Sequence, residues 1–287
     1  MRIFLFLPLL IFLLVTCSSG HIKTISSDPG QTTNSTLEVV MISEVEWKQL
    51  NPKGDVNSPK AATLWGDPNE PGPSGFLVEL VDGFFSPPHI HSANYHGVVI
   101  NGTIHNSEPG VEEVYLPNSS FWTQPAGGVH ITACKGSCIA YIEFEGVLDV
   151  LPVEEAKTNQ DNKSTVLHSA DITWIDPPGF KASSNVPKLA VLWGNLQDDL
   201  PSGTLIKMPP LFSGQMQNNN ATFHAVLIQG RIKLMESENS NTKTLEPGSY
   251  FSSKRSDFQI SCEGGEDCIL YLRFEGVFDF FPARLNS

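Results

Sequence analysis

Three of the chain's eight histidines fall within eight residues, His89, His91 and His96. His89 and His91 are two apart, so on a strand both imidazoles leave the same face. His96 follows the turn-like Ser92-Ala93-Asn94 and opens the apolar run Val98-Val99-Ile100 that ends at Asn101-Gly102. A fourth, His130, closes Pro125-Ala126-Gly127-Gly128-Val129-His130, where proline and glycine read as a tight turn feeding a strand. Neutral nitrogen donors on rigid elements suit one divalent transition metal, zinc or iron first, with nickel, copper or manganese as alternatives. Such a metal with an open position polarises an oxygen substrate or lowers the pKa of bound water. Tyr95, Phe121 and Trp122 are the expected substrate pocket. Glu143 shares strand parity with Tyr141 and is the candidate acid/base; the competing reading is a surface charge.

At these residues the chain resembles the cupin superfamily. Gly83, His89, His91 and Gly102 match that family's first motif in type and near spacing, and Pro125, Gly127 and His130 match its second. His96 stands where most members carry glutamate, so the site's charge is one unit less negative. The resemblance implies a double-stranded β-helix and chemistry such as dioxygenation, isomerisation or lyase action on a small organic molecule. It also implies a non-catalytic alternative, a metal- or ligand-binding or sensing module, since the zinc-bound cupin domain of some anti-sigma factors is similar.

The elements that must position these residues are short. Apolar runs at Phe76–Val81, His96–Ile100, Phe121–Gln124 and Ile139–Phe144 are punctuated by glycine, proline and asparagine, with no helical period. That predicts an all-β antiparallel barrel or sandwich. An internal repeat then predicts two of them. Pro59–Asp67 recurs as Pro187–Asn195, Pro73-Ser74-Gly75 as Pro201-Ser202-Gly203, and Tyr141–Asp149 as Tyr271–Asp279. The architecture expected is a tandem pair of cupin barrels, a bicupin. Aligned on the repeat, His89 becomes Gln217, His91 becomes Asn219, His96 stays as His224 and His130 becomes Gln259. The first half therefore carries the metal, and the second is structural, a lid or a metal-free binder. Trp65 and Trp193 occupy equivalent places and read as core packing.

At 287 residues, with 40% of them hydrophobic and with 23 glycines and 21 prolines, the chain suits two loop-rich β domains. A net charge of −13 argues against nucleic acid and anionic membrane surfaces as partners. Residues 1–17 read as an export signal, an apolar run too short to span a bilayer comfortably. It ends at Leu14-Val15-Thr16-Cys17, which looks like a bacterial lipobox with Cys17 as the lipidated residue; secretion after ordinary cleavage is the alternative. Membrane contact is then through the lipid anchor alone, and a homodimer is compatible with the sequence. Residues 18–38 are polar and read as a disordered tether. The metal-binding domain is expected over 39–153, a charged linker over 154–165 and the degenerate domain over 166–287. Five cysteines include two close pairs, Cys134/Cys138 and Cys262/Cys268, expected as local disulfides in an oxidising compartment.

Overall fold

Each apolar run is cut by glycine, proline or asparagine before it exceeds a strand's length. The computed structural model accordingly shows, among the described residues, eighteen strands and three single-turn 3-10 segments. It describes residues 36–55, 57–155, 164–177, 185–196, 200–218, 222–236, 242–254, 257–274 and 278–282. The export signal and Cys17 lie outside these.

The first half forms one antiparallel sheet. Its strands are β2 (Lys48–Gln49), β3 (Lys60–Trp65), β4 (Ser74–Leu80), β5 (Tyr95–Ser107), β6 (Phe121–Gln124), β7 (Ile131–Phe144) and β8 (Thr165–Leu167). They lie in the order β2-β3-β4-β7-β5-β6-β8. The long pair β5 and β7 shifts register after Val99 and after Asn101. Gly102 follows in the left-handed region at φ 73°, where a side chain is strained. These irregularities bend the sheet across its middle and let one ladder close around its own core.

In the second half the corresponding strands are broken. They are β9 (Lys188–Trp193), β10 (Ser202–Met208), β11 (Ser213–Asn218), β12 (Thr222–Gln229), β13 (Arg231–Glu236), β14 (Thr242–Leu245), β15 (Tyr250–Lys254), β16 (Asp257–Glu263), β17 (Cys268–Phe274) and β18 (Phe278–Pro282). With β1 (Thr36–Val40) they make two sheets, β1-β15-β12-β17-β10-β9 and β14-β13-β16-β11-β18.

Strand alternation sorts the apolar side chains into three cores. One fills the first barrel around Phe76, Tyr95, Val99, Trp122 and Phe144. A second fills the other barrel with Phe212, Met216, Phe223, Phe251, Phe258 and their aliphatic neighbours. The third lies between the barrels and draws on both, from Leu77, Phe121 and Tyr141 to Leu205, Tyr250 and Tyr271. Residues 35–287 are accordingly one compact unit. Cys134–Cys138 and Cys262–Cys268 are bonded within their own halves.

The boundaries differ from the sequence reading, because each half lends its opening strand to the other. β1, whose first residues fall in the expected tether, pairs with β15 of the second half. β8, placed across the expected linker and second domain, pairs with β6 of the first. The following turns repeat the exchange: Ile42 N–H donates to Ser249 Oγ, and Ser169 N–H to Ser120 Oγ. Residues 156–163 of the expected linker lie outside the described residues.

Candidate metal centre

The Pro125–Gly128 turn places His130 through the backbone. His89 and His130 exchange two N–H···O bonds of 3.0 Å, and Gly127 N–H donates to the His91 carbonyl at 2.8 Å. Ala126 N–H is also held by Asn94 Oδ1. The turn, the His89–His91 segment and the start of β7 are thus one rigid piece. Alternation puts His89 and His91 on the same side, and one ring nitrogen from each of His89, His91 and His130 lies within 4.8 Å of the others. The His89 and His130 ring centroids are 4.2 Å apart.

The second nitrogen of each ring is committed elsewhere. Nδ1 faces a backbone carbonyl in all three: Pro87 for His89, Asp149 for His91 and Gly128 for His130. A carbonyl accepts only, so Nδ1 carries the proton and Nε2 is left with a lone pair. This is the outer-shell arrangement that fixes histidine as a metal ligand. Burial, foremost, pushes His91 down to about 4 and His130 down to about 3. His89, at the solvent side, is lowered by the same cause. Three neutral, oriented imidazoles fit a divalent transition ion that accepts nitrogen donors.

A polar chain continues inward from the centre. Tyr95 Oη is 3.2 Å from His130 Nε2 and 3.1 Å from Asn106 Oδ1. Thr132 Oγ1 donates to the same Asn106 oxygen at 2.8 Å, and Asn106 Nδ2 to Gln124 Oε1 at 3.3 Å. Gln124 Nε2 donates to the Gly128 carbonyl at 2.8 Å, back at the turn. Burial keeps the Tyr95 phenol protonated, with Trp122 and Asn106 working the other way.

The structure separates the remaining expected residues from this group. His96 neighbours Tyr95 on β5 and so faces the opposite side. It stacks on Trp193 of the second half at 4.6 Å, with Nε2 3.7 Å from a Glu145 oxygen. It does not join the other three histidines. Phe121 is divided from Trp122 by the same alternation and lies in the core between the barrels, while Tyr95 and Trp122 are inside the first. Glu143 is neither beside the metal site nor on the surface. Fully buried between the halves, it pairs with Arg273 and accepts from the Tyr271 hydroxyl at 3.0 Å.

Asn106, Thr132 and Gln124 were not singled out in the sequence. The register shifts in β5 carry Asn106 to the face of Tyr95 although their offset of 11 positions is odd. Gln124 shares parity with Trp122, and that signal was readable.

Strand register also corrects the comparison of halves. Tyr95 faces Phe144 where Phe223 faces Phe274, and Ile104 faces Cys134 where Ile232 faces Cys262. Counting from these, the bridge His89↔His130 corresponds to Met216↔Phe258, and not to Gln217 and Gln259. Asn219 lies outside the described residues. A surface depression of about 360 Å³ lies on the second half beside Arg231, Glu246 and Glu263, and none of the three histidines lines it.

A family model described as "Domain of unknown function (DUF4437)" matches residues 38–281. No curated protein matches the chain. Among solved structures it is similar to a candidate dioxygenase of Nostoc punctiforme, with 18% identity, 84% of this chain and 82% of that one covered, and a TM-score of 0.61. It is also similar to oxalate decarboxylase of Lactobacillus farciminis in a formate complex (12% identity, 89% and 90% covered, TM-score 0.53). Tomato (Solanum lycopersicum) vicilin is a third (10% identity, 85% and 87% covered, TM-score 0.55). These likenesses establish an all-β cupin fold.

Proposed function

The chain belongs to the DUF4437 family, whose description carries no activity, and we propose from its three-histidine centre that it is a metal-dependent enzyme. Its substrate would be a small organic molecule. The observation that carries this reading is the number and orientation of the donors. Three imidazoles present Nε2 while backbone carbonyls hold Nδ1, and among the described residues no carboxylate or thiolate joins them. Three protein ligands leave coordination positions for a substrate, as catalytic sites require. When bound, the ion supplies Lewis acidity or, if it is iron, redox chemistry with oxygen. The protein's own contribution is orientation and the exclusion of water: Tyr95 stacks against Phe144 at 5.3 Å, and both are buried with Trp122. The reaction is of dioxygenase, isomerase or lyase type.

The wider setting is part of the same proposal. The halves are a tandem duplication in which the second has lost its donors, and the protein is exported, with Cys17 as its anchor; the two disulfides support an oxidising location.

Metal analysis of natively purified protein, followed by an oxygen-consumption and product screen over small organic acids and phenols, tests the function. About one bound metal per chain with turnover is the expected result. A bound metal without turnover on any candidate makes the protein a binding module instead, and no bound metal removes the centre altogether.

A further inference from the structure

The centre's charge and its buried donors together define what it accepts. Three neutral histidines leave a divalent ion with its full double charge, since no carboxylate among the described residues joins the group. Beside it stand two hydrogen-bond donors. The first is the Tyr95 hydroxyl, 3.2 Å from His130 Nε2. A cation on that nitrogen takes its lone pair, so the hydroxyl loses one acceptor. Its other acceptor, Asn106 Oδ1 at 3.1 Å, is shared with Thr132 at the shorter 2.8 Å, so the hydroxyl can turn to a ligand's oxygen while Thr132 still serves the amide. The second donor is the buried Trp122 indole N–H, which lies near the Tyr95 hydroxyl but makes no well-formed hydrogen bond among the described residues. An orphaned buried donor costs stability, so its retention calls for a ligand.

The second barrel shows that the fold does not need these groups. Strand register places Phe223 where Tyr95 stands, Phe251 where Trp122 stands, Leu234 where Asn106 stands and Ile260 where Thr132 stands. All four are packed in an apolar core. The polar set and the metal-binding set are present together in one barrel and, among the described residues, absent together from the other. Scaffold demands would be met by either.

Building on the metal-centre reading, we propose that Tyr95 and Trp122 form an oxyanion subsite that selects a small carboxylate or enolate substrate. The Tyr95 hydroxyl and Trp122 N–H donate to the ligand's anionic oxygen, Asn106 and Thr132 hold the tyrosine in place, and the uncompensated double charge rejects neutral analogues.

The test uses full-length protein loaded with cobalt(II), whose visible spectrum reports its coordination, titrated with acetate and with neutral acetamide. Wild type should bind about one cobalt per chain and respond to acetate but far less to acetamide. Tyr95→Phe should keep the cobalt and lose acetate affinity by about ten- to a hundredfold, the loss of one charge-assisted hydrogen bond. Trp122→Phe, which copies Phe251, should weaken acetate in the same direction. Equal acetate affinity in wild type and Tyr95→Phe overturns the subsite while leaving the metal centre standing. So does equal response to acetate and acetamide, or cobalt loss in Tyr95→Phe, which would make the tyrosine a support for His130. Failure of the wild-type protein to take up cobalt overturns both readings.

Discussion

At His91 the Asp149 carbonyl accepts a hydrogen bond from Nδ1–H, and at His130 the Gly128 carbonyl does the same, so each ring can bind a cation only through its other nitrogen. His89→Ala with His91→Ala should therefore abolish metal uptake by removing two of three ligands, whereas His96→Ala should leave it unchanged, as measured by metal content after dialysis. The same burial makes the metal-free protein sensitive to acid. His91 and His130 sit near 4 and 3 in the folded state, against about 6.5 in an unfolded chain. Between those values the unfolded state binds the more protons, so stability falls as pH drops from about 6.5 towards 3–4 and is fully present above that window. Thermal melts of metal-free protein should show this slope, and His130→Phe, which copies Phe258, should flatten it. At this scale the sequence was partly legible. The His-x-His spacing and the glycine-proline turn single out the three histidines that the structure draws together, because parity and turn chemistry are local. The same parity rule, applied from His91 across the turn at Ser92–Asn94, counts His96 in, and only the paired register of β5 with β6 and β7 shows that Tyr95 is the inward residue.

The elements show how one strand pair accommodates either a partly polar or an apolar barrel interior. Gly97 lies against the Trp122 ring, and a Cβ there would come within 2.1 Å of its nearest atom. In the other barrel the matching pair is Ala225 and Phe251; the smaller ring leaves room for a methyl group. Gly97→Ala should therefore destabilise the first barrel by about 1–3 kcal/mol through overpacking. Trp122→Phe added to it should recover much of that loss, a coupling that chemical denaturation of the four proteins in the cycle would measure. Apolar runs and turn residues revealed β4 and β6 and parts of the long strands β5 and β7. The exchange of β1 and β8 was not readable, because it depends on open sheet edges far along the chain, in the second half for β1 and back beyond β7 for β8. Nor was the third core, since alternation predicts two faces for each strand without saying that the outer face meets another barrel.

For the whole molecule, the seam between barrels is built on reciprocal contacts. Trp65 Nε1 donates to the Tyr141 hydroxyl and Trp193 Nε1 to that of Tyr271, at 2.9 and 3.0 Å. His96 stacks on Trp193, and His224 on Trp65. At the centre the reciprocity stops, for Glu143 meets Arg273. Removing one member of a buried ion pair leaves the other charge uncompensated, so Glu143→Gln should cost about 3–5 kcal/mol. Glu143→Leu with Arg273→Leu should cost much less than either single substitution, and denaturant melts would check both. Metal content should persist in the folded fraction of each, because the pair stands outside the histidine group.

That central pair also decides which partner a barrel accepts. Glu143 faces His96 across its ladder as Arg273 faces His224, so they are counterparts. Two copies of the first half joined in the same way would press carboxylate on carboxylate, and two copies of the second would press guanidinium on guanidinium. Either self-pairing is penalised, and the mixed pairing is favoured. The seam thus acts as a lock that opens to one key, and the key is covalently attached. Were the two halves made as separate polypeptides and mixed, native mass spectrometry should find a one-to-one heteromer in preference to either homodimer, with charge sign at one buried position making the choice.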